Sequence, residues 1–170
     1  VLGALADLID TDAADAPLVE ASLGAGLALL VVESSAVLPG AMELAGLPGR
    51  VSFVLARGIS EGSREASLEA GGAEDLAAFN GRVRHVRSLV RGRDESSGES
   101  LAIGGLLDRL LGRTYAVADL ETAILMGAGP LAGCRFVTET GEVLEADGRI
   151  AAGPVATGSE GAGVIQRRNE

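Results

Sequence analysis

LVEASLGAGLALLVVESS (18–35) and LLDRLLGRTYAVADLETA (106–123) follow one pattern. Each begins helix-compatible and stops at a Leu-Gly pair, Leu23-Gly24 or Leu111-Gly112. Each then runs into an apolar, branched stretch, LALLVVE (27–33) or RTYAVAD (113–119), short enough to be a buried strand. A helix start follows near Ser34 or Asp119, then Gly-containing turns, then RVSFV (50–54) or CRFVT (134–138). The Leu-Gly to Arg spacings, 24 to 50 and 112 to 135, differ by only three residues. Upstream, setting Leu8-Ile9 over Leu89-Val90 aligns a strand with a strand. Strand–helix–strand–helix–strand, twice over, predicts an α+β fold of two similar lobes, internally duplicated.

The remaining elements follow from local signals. GALADLI reads as a strand ending near Asp10, and Asp12 or Asp15 is placed to cap a helix with Pro17 in its first turn. The helix from Ser34 or Ser35 runs through Met42 and Leu44 to Gly46, with Pro39 inside it as a potential break. VSFVLA (51–56) is the third strand, 57–72 is loop or weak helix, and AEDLAAFN (73–80) is a short helical stretch. The second copy carries an extension, TGEVLEADGRIAAG (140–153), read as two short strands, 142–146 and 149–151, around the turn dipeptide Asp147-Gly148. The expected lobes are about 1–80 and 81–153; GPVATGSEGAG (153–163) is a linker, and VIQRRNE (164–170) is helix-compatible and cut short.

Composition narrows the chemistry. The net charge is −10, and all 14 basic residues are Arg. Without lysine there is no P-loop, no Schiff base and no S-x-x-K hydrolase. No run of 18 apolar residues provides a membrane span, and VLGALADLID lacks a basic n-region, so neither membrane nor signal peptide is expected. One cysteine, Cys134, permits no internal disulfide and suits a reducing compartment. The lone His85 leaves a zinc site or a triad short of partners, and a Cys134–His85 nucleophile pair has only arithmetic behind it. Asp10, Asp12 and Asp15 lack the glycine and twelfth-position glutamate of a calcium loop. GAGPLAG (127–133) follows a helix and precedes a strand, the reverse of a dinucleotide loop. No catalytic residue, metal or cofactor is therefore assigned.

VLGALADLI, VEASLG followed by ALLVVES, LLGRTYAVADLETAI and TGEVLEADGRIAAG, in this order and spacing, resemble the hinge domain of SMC (structural maintenance of chromosomes) proteins, most like the bacterial type. The family's G-x6-G-x3-G-G pattern falls on Gly141, Gly148 and Gly153, with Ala152 in place of the third glycine. The resemblance covers nearly the whole chain, with 164–170 as the start of a truncated coiled-coil arm. It implies an SMC hinge-like domain over 1–163 that homodimerises as a ring, first lobe against second. It also implies antiparallel arms, ATPase heads elsewhere in the parent protein, accessory subunits, a role in chromosome condensation and segregation, and a cytoplasmic, nucleoid-associated setting. Gly141, Gly148, Ala152 and Gly153 are the expected dimer contacts, with Gly3 and Gly24 as first-lobe candidates.

RVRHVRSLVRGR (82–93) holds five arginines, Arg82, Arg84, Arg87, Arg91 and Arg93, and no acid, leaving −15 on the remainder. As a regular strand it sets Arg82 and Arg84 on one face and Val83, His85 and Arg87 on the other. Such a stripe grips phosphates without reading sequence, so non-specific DNA is the second expected partner; the alternative is pairing with the acidic remainder. Two other functional classes compete with the hinge: a small α/β enzyme with a cleft between its lobes, and an acidic monomeric adaptor for a basic protein.

Overall fold

The computed structural model describes residues 2–34, 38, 40–46, 49–57, 83–93 and 98–153. The expected lobe boundary at 80/81, the stretches 58–72 and 73–80, Arg82, and the linker and arm beyond Gly153 lie outside the described residues.

The chain opens with β1 (Gly3–Ala4), the single turn α1 (Leu5–Leu8) and β2 (Ile9–Thr11). One strand was expected here. Leu5, Ala6 and Ile9 are buried while Asp7 is exposed, which a helical turn satisfies; an alternating strand would put Asp7 on the same face as Leu5 and Ile9. α2 (Ala16–Leu23) carries Pro17 in its first turn, as expected, but Asp15 makes no side-chain cap and instead meets Arg84. Gly24, at φ 50, ends α2 and leads into a 3-10 turn over 24–28, which shortens the next strand to β3 (Leu30–Val32). Within the expected 34–46 helix, residues 35–37 and 39 lie outside the described residues, Ser34, Leu38 and Gly40 are not helical, and α3 (Ala41–Ala45) starts after Gly40, whose N–H donates to Glu43 Oε2 at 2.9 Å. β4 (Phe53–Leu55) lies within the expected third strand.

The second half repeats the order. β5 (Val83–His85) takes the place of β1, and a 3-10 turn over 86–89 and β6 (Val90–Gly92) stand 81 residues after α1 and β2. α4 (Gly98–Leu111) ends at the Leu-Gly pair and precedes β7 (Thr114–Val117). α5 (Leu120–Ala128) is capped by Asp119, whose carboxylate accepts from the Thr122 N–H at 2.7 Å. β8 (Arg135–Thr138), β9 (Val143–Leu144) and β10 (Ile150–Ala151) complete the fold.

Three sheets form among the described residues. The first has strand order β1-β3-β4, and the second β5-β7-β8-β9-β10. In both, the opening strand is antiparallel to the next, which then pairs in parallel with the strand after its helix. That correspondence is the duplication in three dimensions, with β9 and β10 as the second copy's extension. The third sheet joins the halves: β2 pairs antiparallel with β6, Ile9 opposite Gly92, Asp10 opposite Arg91 and Thr11 opposite Val90.

One core cluster unites the halves, with Leu5, Ile9, Val19 and Val31 from the first and Val86, Leu106, Leu107 and Leu111 from the second. Each such fully buried aliphatic side chain contributes about 1.5–3 kcal/mol by leaving water. A second cluster, Tyr115, Val117, Ala123, Met126, Cys134 and Phe136, lies between β7, β8 and α5. All four residues of β7 are buried, as suits a central strand covered on both faces.

Candidate dimer and nucleic-acid surfaces

The glycine candidates of the second half sit around one hairpin. Gly141 (φ 92) lies in the β8–β9 turn, its N–H bonded to Thr138 O at 3.0 Å. Gly148 (φ 88) closes the β9–β10 turn, its N–H on Glu145 O at 2.9 Å. Gly153 (φ 109) follows β10, and Ala152 is exposed before it. All three glycines occupy backbone that side chains rarely adopt, and an added Cβ at any of them meets nothing within 4 Å among the described residues. Turn geometry alone therefore accounts for Gly141 and Gly148. Gly3 (φ 141) and Gly24 lie apart from the hairpin, in β1 and at the end of α2.

Polar groups lock the hairpin. The Glu142 carboxylate accepts from the Thr138 and Thr140 hydroxyls, and these bonds hold its pKa below the usual 4.5. The Arg149 backbone N–H, then its guanidinium, donate to Asp147 and lower that carboxyl below 3.8. Arg135 of β8 fixes the hairpin to the first half: Nη2 donates to Glu145 Oε1 at 2.9 Å and Nη1 to Ser22 O of α2 at 2.6 Å. Its Nε is buried without a partner among the described residues.

Among the described residues each of the two larger sheets ends in two edge strands, β1 and β4 in the first and β5 and β10 in the second, and sequence reasoning had singled out only the neighbourhood of β10. β10 terminates the five-stranded sheet and β4 the three-stranded sheet. Glu145 N–H bonds to Arg149 O at 2.8 Å, so Arg149 and Ala151 turn their backbone groups to β9. The Ile150 N–H and C=O thus point off the sheet, beside a side chain that is 49% exposed. On β4, Leu30 N–H bonds to Ser52 O at 3.0 Å and Ala56 N–H to Val32 O at 2.8 Å. Ser52, Val54 and Ala56 therefore face β3, and Phe53 and Leu55 face outward.

The basic segment is not one strand. The 3-10 turn at 86–89 interrupts it, so the expected alternation of faces ends at His85. Arg84 pairs with Asp15 at 2.9 Å and Arg87 with Asp108 at 2.6 Å, while Arg93 donates to Asp7 O at 3.4 Å. Arg91 is exposed in β6 opposite Asp10. Much of this positive charge is thus answered by the acidic remainder.

The other candidates take structural places. His85 Nε2 lies 2.9 Å from Gly112 O, and its ring centroid is 5.0 Å from that of Tyr115. Cys134 is buried. Burial raises the Tyr115 phenol, reinforced by Cys134 and opposed by Arg113. Among the described residues no group of three His, Cys, Asp or Glu could hold a metal ion, and no helix is long and apolar enough to cross a membrane.

The described residues form a duplicated α+β module whose two larger sheets are both open. The family described as the flexible hinge domain of SMC proteins matches residues 1–126, and the chain belongs to it. The chromosome partition protein Smc of Rhodopirellula baltica is 28% identical over 172 residues, covering 100% of this chain but 13% of that protein. The SMC hinge domain of Geobacillus stearothermophilus, solved as an asymmetric dimer, superposes with a TM-score of 0.64 at 23% identity, over 98% of this chain and 62% of that one. The hinge domain of Pyrococcus furiosus SMC gives 0.62 at 23% identity, over 92% and 74%. These structures share the fold.

Proposed function

We propose that this chain is a homodimerisation hinge, in which β4 of one copy adds to β10 of the other. The observation that carries this reading is the pair of open edges on separate sheets. One copy offers both, so two contacts close a twofold ring and join each three-stranded sheet to a five-stranded one, with β1 and β5 left as the outer edges. Gly141, Gly148 and Gly153 shape the turns that present β10, with Ala152 at its end, while Gly3 and Gly24 support the first lobe. The work of the ring is mechanical: it joins two long coiled-coil arms at one end. The parent protein then acts in chromosome condensation and segregation in the bacterial nucleoid, with ATPase heads and accessory subunits beyond this chain. The hinge domain is not itself a catalytic one.

Light scattering on the purified chain tests the reading. A mass of twice 17.1 kDa at micromolar concentration is expected, and a stable monomer overturns it. Non-specific DNA contact is the secondary role, supported by the exposure of Arg91 and carried with it by Arg82, Arg84, Arg87 and Arg93.

A further inference from the structure

The open edge of β4 is not uniformly available. Arg109 reaches from α4 and places Nη2 2.5 Å from Leu55 O and 2.9 Å from Ala56 O. Leu55 is one of only two β4 residues whose backbone groups face outward, Phe53 being the other. A carbonyl already accepting from a guanidinium is a poor partner for an incoming strand, since the charge-assisted bond is the stronger one. What remains for pairing is the Phe53 N–H and C=O and the Leu55 N–H.

We propose that Arg109 is a register stop for strand addition at β4. The inference rests on the edge-pairing reading above. β10 presents one outward residue, Ile150. Antiparallel addition lets two facing residues exchange both bonds, so the contact is satisfied by Phe53 against Ile150 of the second copy. In that register Ser52 stands opposite Ala151, and Leu55 opposite Gly148, where the incoming chain is already turning. Sliding the strand by two residues keeps every side chain on its face and sets Leu55 against Ile150, with Val54 opposite Ala151. The hydrophobic pattern does not forbid that slip. The slipped register needs the Leu55 carbonyl as acceptor, and Arg109 occupies it. Arg109 is thus a specificity residue for the association, acting from the second half of the chain on the edge of the first.

Cysteine cross-linking distinguishes the registers. In the 170-residue chain with Cys134→Ala, one variant carries Ser52→Cys and Ala151→Cys, and another Val54→Cys and Ala151→Cys. Each is oxidised and read as covalent dimer on non-reducing gels, with folding checked by circular dichroism. With Arg109 present, the first pair links and the second does not. Arg109→Ala is expected to raise the second link to within about threefold of the first, and Arg109→Lys, which keeps a cationic donor, to suppress it again. If the second link stays absent in Arg109→Ala while the first persists, the register stop is wrong. If neither pair links in a chain that scatters as a dimer, the edge-pairing reading itself is wrong.

Discussion

Replacing Ile150 by proline separates the fold from the association. The Ile150 N–H points away from β9, so proline removes no hydrogen bond within the chain, and an edge position of this kind tolerates it. The monomer is expected to lose less than about 1 kcal/mol, judged from exposed edge substitutions. The ring loses one N–H···O bond at each of its two contacts, at about 1 to 1.5 kcal/mol net apiece. The sum, about 2 to 3 kcal/mol, raises the dimer Kd about 30- to 150-fold. Sedimentation velocity across a dilution series measures it. Ala151→Pro is the control: its N–H faces β9, so it breaks the internal ladder and lowers the monomer's own stability. A dimer of Ile150→Pro with Kd within threefold of the unchanged chain refutes the assignment of β10 as a contact.

The hairpin also carries a pH signature. Glu142 and Asp147 have folded-state pKa values below 4.5 and 3.8, so their stabilisation is complete above those values and is lost as pH falls through the depressed ones. Amide protection factors over 138–151, taken against the unstructured-chain rate at each pH, are expected to fall from pH 5 to pH 3 and to lose part of that dependence in Glu142→Gln. Gly112→Ala puts a Cβ 2.2 Å from Asp108 O, a backbone atom that cannot yield, and should cost at least about 1–3 kcal/mol in urea unfolding. Changing Arg82, Arg84, Arg87, Arg91 and Arg93 together to alanine should abolish salt-sensitive DNA binding in titrations at low salt; equal binding by the variant removes this segment as the site.

The repeat was legible because Leu-Gly pairs and branched runs are local signals, and backbone constraint explains both glycines: Gly24 by its positive φ, Gly112 by its contact with Asp108. The α1 turn was not legible. GALADLI satisfies an alternating pattern as well as a helical one, and the choice falls to what Leu5 and Ile9 pack against. The basic segment misled for a related reason, since spacing in sequence does not reveal that Asp15 and Asp108 lie across from Arg84 and Arg87. Arg109 gave no signal at all. Its importance comes from the carbonyls it reaches 53 and 54 residues away, and only the fold brings them together.

The β2–β6 ribbon has a consequence for ancestry. Shifted by 81 residues, Ile9 falls on Val90 and Thr11 on Gly92, so the pairing of Ile9 with Gly92 and Thr11 with Val90 is the one a half-length chain makes with its own copy about a twofold axis. On that axis a self-paired ancestor must confront a residue with itself, and two like charges there repel. Within one polypeptide the two positions vary separately, and here they hold Asp10 and Arg91. The register is thus the one that fusing two self-pairing halves would leave, with a contact between molecules become a seam inside one.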